Sequence, residues 1–436
     1  MTEAVDEEGI EEEMEFNFQE RFEAFLNDVA TEKRVVEVLD RTIRSYFGPS
    51  EPQEYEQIYQ LFRADHVKCL VDVLEKNSIS RLSFPVDILD QESAVYLGQA
   101  VNRMTNLQEL SLGQMSSTDT AHMVLAQLDP GISMLRRLRI HARLPLTPEL
   151  ECFINSSSTL HHLEFDLRRV IPGCQQLSRL GDALRDSRSI RDLVLNSTNW
   201  ESLSVLLEHI GADSPITRLD LAFELDVGEN SPEREHAMLE CMRKLGSCTT
   251  LQTLHISEPS NPDFPHHSHY HEALAKALRA NSSIRTLQME GAINQDGVNA
   301  LSNALVVNTT LESLAFPSLR ECSFMSFAQK LGNMKGLKTV VFWGSQMLSA
   351  EEVEAIEEGL SHNTSVWHMQ FTYNARNPRL AERIRFHLMA NGMGAHELVA
   401  SAPASFMPHV LAVADRRSLS MLYSFLCRRS DLFYYR

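Results

Sequence analysis

The sequence predicts an α/β repeat solenoid, in which short parallel strands form a sheet and helices form the layer behind it. Two fragments, "NSSIRTLQM" at 281–289 and "NTTLESLAF" at 308–316, share one order of polar and apolar residues. The template aliphatic-x-x-aliphatic-x-apolar recovers eleven copies between residues 79 and 371, whose first anchors lie about 25 to 35 residues apart. A chain of 436 residues exceeds the usual size of one compact core, which also favours an elongated array.

Each copy is expected to fold as a strand followed by a helix. Leu110 and Leu112 alternate with polar neighbours, the period of two that is typical of a short strand. Residues 298–305 instead carry apolar side chains at helical spacing, and Asp296 before them is the expected N-cap. Such a unit is too small to bury its apolar face alone, so stacked copies are required.

The segment "SAEEVEAIEEGL" repeats this plan with a clearer helix start. Ser349 and Glu352 have the spacing of a capping box, in which each side chain binds the backbone of the other residue. Val353, Ile356 and Leu360 then form the apolar stripe.

This pattern resembles the leucine-rich repeat, and the full helix in each unit resembles its ribonuclease-inhibitor-like class. The resemblance covers residues 66–375 and implies a curved horseshoe with a concave parallel sheet, outer helices and a helical cap at each end. The family usually has Asn or Cys three residues beyond the last strand anchor. Most copies depart from this rule, with Met115, Thr198, Ala292 or Ser345 there, and only Asn374 fits.

The two ends of the chain are expected to differ from the repeats. Residues 1–15 are predicted to be an acidic disordered tail, since residues 1–24 carry ten acids and one base. Residues 16–65 are predicted to be an N-terminal helical cap, with an apolar stripe from Phe18 to Phe47, although a separate partner-binding helix pair is the alternative. Residues 376–436 are predicted to be a C-terminal helical cap, whose first helix ends at Gly392.

The C-terminal segment also resembles the endings of uncharacterised leucine-rich repeat proteins of microalgae. Those endings have Asn-Arg-x-Gly-Arg after a helix, then two short helices. Asn391 and Gly394 match that pattern, while Gly392 and Ala395 replace its arginines. The resemblance implies no known activity.

Charge and cysteine usage restrict the partners and the compartment. The net charge of −19 disfavours nucleic acid, which requires a concentrated basic surface. No stretch approaches the roughly 18 apolar residues of a membrane span, so no membrane is expected. Seven scattered cysteines favour a reducing compartment, and the sequence predicts a cytoplasmic protein, with the nucleus left open.

The sequence contains few residues arranged as in an enzyme active site. The segment "FPHHSHYHEAL" places His266, His267, His269 and His271 where alternate side chains of an extended segment could converge on one metal ion. A polar insertion is the alternative and is favoured, because no further ligand motif lies nearby. No phosphate-binding loop, HExxH motif or nucleophile elbow is present, so neither an enzyme nor a cofactor is predicted.

The positions between the strand anchors are expected to line up across the concave sheet. Repeats three to six offer charged side chains there, which either bind a partner or pair across neighbouring strands. Repeats ten and eleven offer apolar and aromatic ones, unless the C-terminal helices cover them. The predicted partner-binding residues are Arg137, Arg139, His141, His162, Glu164, Asp192, Arg218, Asp220, Val341, Trp343, Trp367 and His368.

Three functions are therefore compared. The favoured one is a non-catalytic scaffold that binds a protein partner of unknown identity through the concave face. The second is an activator-like regulator of a small GTPase, because ribonuclease-inhibitor-like repeats also resemble the activator of the nuclear transport GTPase. The third is a metal-dependent activity at residues 266–271.

Overall fold

The structure is a computed structural model that divides into two compact units, Met1–Glu224 and Leu225–Arg436. The residues described are 18–19, 21–29, 64–77, 79–85, 89–113, 118–141, 147–166, 175–211, 214–223, 232–257, 267–316, 322–342, 347–370, 372–373 and 378–392.

Strands and helices alternate along the first unit. Its helices are α1 (residues 18–19 and 21–29), α2 (Ala64–Lys76), α3 (Gln91–Arg103), α4 (Thr118–Ala126), α5 (Pro148–Ser156), α6 (Gln175–Asp186) and α7 (Trp200–Ile210). Its strands are β1 (Arg81–Pro85), β2 (Glu109–Gly113), β3 (Arg137–Ile140), β4 (His162–Asp166), β5 (Asp192–Thr198) and β6 (Arg218–Phe223).

The second unit continues the alternation. Its helices are α8 (Pro232–Ser247), α9 (His267–Ala280), α10 (Gln295–Val307), α11 (Met325–Lys330, extended by the 3₁₀ turn Leu331–Asn333), α12 (Ala350–His362) and α13 (Pro378–Gly392). Its strands are β7 (Thr253–Ser257), β8 (Thr286–Glu290), β9 (Ser313–Phe316), β10 (Thr339–Phe342), β11 (Met347–Leu348), β12 (His368–Gln370) and β13 (Thr372–Tyr373).

Within each unit, consecutive repeat strands pair in parallel and in register, so equivalent anchors lie side by side. In the first unit the aligned second anchors are Leu82, Leu110, Leu138, Leu163, Leu193 and Leu219. In the second unit they are Leu254, Leu287, Leu314, Val340 and Met369. All of these anchors except the half-buried Met369 are buried, and the helices cover the face on which they lie. The predicted α/β repeat solenoid is confirmed, because all eleven predicted strands occur among the described residues and alternate with helices.

Glycines allow neighbouring helices to approach closely. A Cβ added to Gly98 of α3 would lie 2.5 Å from the carbonyl oxygen of Val124 in α4. One added to Gly359 of α12 would lie 2.6 Å from the carbonyl oxygen of Ala328 in α11. Because backbone atoms occupy the space of the missing side chain, these positions tolerate no larger residue without displacement of the helices.

The helix starts agree only in part with the sequence prediction. Ser349 and Glu352 form the predicted capping box of α12. The predicted cap at Asp296 is wrong, because Asn294 is the N-cap of α10 and its side chain accepts a hydrogen bond from the amide of Gly297. Asn294 and Asp296 both suit a cap chemically, and the helix begins two residues earlier than an Asp296 cap requires.

A ladder of asparagines, not predicted from the sequence, joins repeats of the second unit at the helix C-termini. Asn281, Asn308 and Asn363 each donate two hydrogen bonds from the side-chain amide to carbonyls of the preceding repeat. Each side-chain oxygen accepts two backbone N–H groups of the following turn. All three residues are buried. In the first unit, smaller Ser157 and Ser187 take the equivalent place before β4 and β5.

Helices also lie against the first and last repeats. Phe18, Phe22, Phe25 and Val29 are buried in α1, and Asn77 at the end of α2 donates a hydrogen bond to the carbonyl of Val29. The rest of the predicted N-terminal stripe, like the acidic tail, lies outside the described residues.

At the other end, α13 packs on α12. Asn391 of α13 donates to the carbonyls of Asn363 and Val366, which repeats the pattern of the ladder. Gly392 is the last residue of this helix, and the two predicted helices beyond it lie outside the described part of the chain.

Candidate functional site

The side chains between the anchors lie on the sheet face away from the helices, which we call the strand face. In the first unit the register places one row of side chains across six strands, in the order Arg81, Glu109, Arg137, His162, Asp192 and Arg218. A second row contains Ser83, Ser111, Arg139, Glu164, Val194 and Asp220. Strand periodicity alone decides this alternation of buried anchors and outward polar residues.

Glu109 lies at the centre of the first three strands. Its carboxylate is 3.5 Å from Nε of Arg81, 3.9 Å from Nη1 of Arg137 and 3.4 Å from Nη2 of Arg139. The Glu109 side chain is only 13% exposed, whereas those of Arg81 and Arg137 are 59% and 53% exposed. Three cations therefore share one largely buried anion. Glu109 and Arg81 are absent from the predicted site, although both lie in the predicted rows.

A second carboxylate, Glu164 on β4, links three strands. Arg139 Nε lies 3.2 Å from it on one side, and Asn196 donates a 2.7 Å hydrogen bond to it on the other. The neighbouring His162 ring holds the pKa of Glu164 below its usual range, assisted by Asn196 and by the charges of His141 and Arg139, although burial acts in the opposite direction. Glu164 is therefore an anion that the fold stabilises.

The charges further along the strand face pair among themselves. His162 Nδ1 lies 3.9 Å from Asp192 on the next strand. Arg218 binds Asp220 on its own strand with hydrogen bonds from Nη2 and Nε at 2.8 and 3.1 Å. Many of the predicted partner-binding residues therefore pair with opposite charges on this face, as the alternative hypothesis expected.

The strand face of the second unit has fewer charges. Glu290 accepts a 3.0 Å hydrogen bond from Ser257, and its other oxygen lies 3.3 Å from His255 Nε2. Thr253, Thr286, Ser313 and Thr339 fill the row that is charged in the first unit. The surface is consequently polar but close to neutral there.

The apolar and aromatic side chains predicted for repeats ten and eleven lie only partly within the described residues. Trp367 is 49% exposed beside His368, with the two ring centroids 6.1 Å apart. Val341 on β10 is half-buried. Trp343 lies outside the described residues, as do residues 393–436 that were considered as its cover.

The histidine segment does not have the geometry expected for a metal site. His267, His269 and His271 lie in the first turns of α9, not on an extended segment, because the helix begins at His267. His269 is exposed and its Nδ1 is 3.8 Å from Glu235, whereas His271 is buried against the ring of Tyr270. Alternate residues of a helix point in different directions, so the predicted convergence is wrong. His266 lies outside the described residues.

Two cysteines, Cys248 and Cys322, have thiols that are not activated for nucleophilic attack. Burial raises the pKa of Cys248 to about 11, and burial also raises that of Cys322 to about 11. The thiol form therefore dominates at neutral pH, and the thiolate that attacks a substrate is scarce. Cys69, Cys152 and Cys241 are also free thiols.

A cleft of about 550 Å³ lies where α5 and α6 end, just before β4 and β5 begin. Its lining includes His161 and Arg191, whose side chains contact the backbone carbonyls of Ser189 and Pro215. These two polar groups therefore hold neighbouring turns together. Across the described residues, no helix combines the length and apolar character that crossing a membrane requires.

Comparison with known proteins gives structural similarity alone. No family model matches the sequence, and no curated protein matches it. A solved structure of leiomodin-1 actin-binding site 2 is similar over 45% of this chain and 90% of that chain, with 16% identity and a TM-score of 0.27. The structure of the yeast Rad7–Elc1 complex is similar over 88% of this chain and 90% of that chain, with 12% identity and a TM-score of 0.42. The resemblance to microalgal proteins stays a prediction.

Proposed function

We propose that this chain is a non-catalytic scaffold that binds a protein partner through its strand faces. The observation that carries the proposal is the contrast between the two sides of each strand. The second anchors are buried leucines from β1 to β9, while the outward positions change from arginine to glutamate, threonine or histidine. A surface of non-repeating side chains on a repeating framework is suited to recognition of one specific partner.

The chemistry of the outward residues also suits a protein interface. Arginine and tryptophan are among the residues that most often dominate binding energy in such interfaces. The first unit offers half-exposed Arg81 and Arg137, and the second offers Trp367 at 49% exposure. The predicted residues Val341 and His368 lie on the strands β10 and β12 that pair next to Trp367.

Affinity capture from the native source tests the proposal. Full-length protein is used as bait, and Arg137→Gln and Trp367→Ala are compared with the wild type. Each substitution is expected to reduce capture of the partner by about tenfold or more, as truncation of a central interface residue often does. The matched control is Arg279→Gln, an exposed arginine in the last turn of helix α9.

The two substitutions are also combined in one Arg137→Gln/Trp367→Ala variant. If this variant is folded and still captures the same partner at wild-type level, the proposal is contradicted. Equal loss in the Arg279→Gln control would instead indicate a non-specific effect of charge. No observation among the described residues favours regulation of a small GTPase or a metal-dependent activity over this function.

A further inference from the structure

The three arginines around Glu109 retain most of their hydrogen-bonding capacity. A guanidinium group has five N–H donors, and its charge-assisted bonds to carboxylate are usually 2.7–2.9 Å long. None of the three contacts with Glu109 is shorter than 3.4 Å. By contrast, Arg103 binds Glu75 through two hydrogen bonds of 2.9 Å between neighbouring helices of the same unit. The loose contacts at Glu109 leave donors available to another acceptor.

One of these donors is buried and unsatisfied. Nε of Arg139 lies 3.2 Å from Glu164 but is not aligned for a hydrogen bond, and it has no hydrogen-bond partner. A buried donor without a partner is costly, so a ligand or a small rotation that satisfies it is favoured. Glu164 is already bound by Asn196, which limits how far it can turn toward Arg139.

The charge of this region is opposite to that of the protein. The whole chain carries −19, yet the outward rows of β1–β3 hold three arginines, Arg81, Arg137 and Arg139, against one acid, Glu109. Arg136, next to the cluster, is exposed. The strand face of β1–β3 is therefore a local cationic surface on an acidic molecule.

We propose that Arg81, Arg137 and Arg139, which we call the arginine cluster, bind an acidic segment of a protein partner. This inference rests on the proposed function and identifies the chemistry of its partner. Arginine suits carboxylates because its planar fork can bind both oxygens, and Glu109 marks where a carboxylate fits among the three groups. The partner's carboxylates take up the outward-facing donors that Glu109 leaves free.

The spacing of the cluster suits an extended peptide. Arg81 and Arg137 occupy aligned positions on strands separated by one intervening strand, which corresponds to about 9.6 Å at the usual strand separation. In a polyproline II segment, which has three residues per turn and rises about 3.1 Å per residue, residues three apart lie on the same side and are separated by about 9.3 Å. A segment with acidic residues at positions i and i+3 therefore reaches both arginines while crossing the strands.

Fluorescence anisotropy with a labelled dodeca-glutamate peptide tests the inference on the full-length chain. Arg81→Gln combined with Arg137→Gln is expected to weaken binding at least fivefold, and Glu109→Gln is expected to strengthen it about threefold or more. The gain follows because Glu109 competes for the same donors. The controls are Arg279→Gln and Glu354→Gln, two exposed residues of the helix layer of the second unit, which leave binding unchanged. Circular dichroism shows that each variant is folded.

Several results would overturn the inference. Peptide binding that is absent, or that changes equally in the controls, excludes a specific site in the arginine cluster. Tighter binding of a single-stranded RNA 12-mer than of the peptide identifies the wrong class of polyanion. A full-length variant with the acids of residues 3–15 neutralised tests the chain's own acidic segment. If only this neutralised variant binds the peptide strongly, the arginine cluster binds the chain's own acidic segment instead of a partner.

The capture experiment separates this inference from the proposed function. If the Arg81→Gln/Arg137→Gln variant captures the native partner normally while Trp367→Ala does not, the arginine cluster is not the docking point and the scaffold function stands. If neither variant loses the partner, both proposals fail.

Discussion

Asn308 and Asn281 occupy the same place in successive repeats, and Nδ2 of Asn308 donates a 3.1 Å hydrogen bond to the carbonyl of Asn281. Asn391 and Asn363 show the same relationship at 3.2 Å. The side chain thus binds the turn that follows its own helix and also the end of the helix in the repeat before it. Successive repeats are joined by polar bonds as well as by apolar packing.

Substitution of Asn308 is expected to destabilise the second unit strongly. The Asn308→Ala variant loses two donated and two accepted backbone hydrogen bonds at a buried position, so we expect a cost of about 2–4 kcal/mol. Urea denaturation measures this change in the free energy of unfolding. Asn303→Ala, an exposed position of the same helix, is the control and should change stability by less than about 0.7 kcal/mol. Equal effects at the two positions would exclude a special role for the ladder.

Gly336 is expected to tolerate no side chain. A Cβ there would lie 2.6 Å from the backbone carbonyl of Thr309 in the preceding repeat. Gly336→Ala therefore forces the two turns apart and should cost about 1–3 kcal/mol in thermal or urea unfolding. Gly113→Ala is a matched control, because the nearest atom to an added Cβ is 3.8 Å away. If Gly336→Ala leaves the free energy of unfolding unchanged, the turns can separate at little cost.

The contact of α13 with α12 is expected to depend on Glu357. Arg383 binds both oxygens of this buried carboxylate at 2.9 and 2.6 Å, and His387 lies 3.2 Å from it. Glu357→Gln presents an amide N–H₂ to a donor of Arg383, so α13 should loosen by about 1–3 kcal/mol, less than for a fully buried pair because Arg383 is 48% exposed.

Hydrogen exchange measures this loosening, as faster exchange in α13 with unchanged exchange in α10. The adjacent exposed Glu358→Gln is the control. Unaltered protection of α13 in the Glu357→Gln variant would contradict the prediction.

Glu164 is expected to contribute stability that depends on pH. Its pKa in the folded protein is lowered, chiefly by His162, so its contribution is complete above the unfolded value of about 4.3 and is lost as the pH falls through the folded value. The difference in unfolding free energy between the wild type and Glu164→Gln should be about 1–2 kcal/mol at pH 7 and should shrink as the pH falls below the unfolded pKa. Urea titrations across this range measure it. A difference that is independent of pH would mean that the carboxylate charge is not what stabilises β4.

The prediction from sequence succeeded where one residue's neighbours along the chain decide its environment. Leu110, Leu138 and Leu163 alternate with polar residues, and each lies buried and aligned with the next. The prediction failed where two local structures are equally compatible with the same residues. Asn294 and Asp296 both suit an N-cap, and His269 and His271 fit either a loop or a helix, so the sequence offers no local reason to choose.

The sequence by itself determined the repeating framework, because apolar anchors at a period of two, followed by a helical stripe, leave few ways to remove their surface from water. Only the tertiary structure decided which polar groups meet. Glu109 contacts arginines that are 28 residues away on each side, at Arg81 and Arg137, and Asn308 binds a carbonyl 27 residues before it. Such contacts depend on register between strands and on the separation of helices, which are set by packing across repeats. The asparagines recur at one place in the repeat, but their spacing does not show which carbonyls they reach.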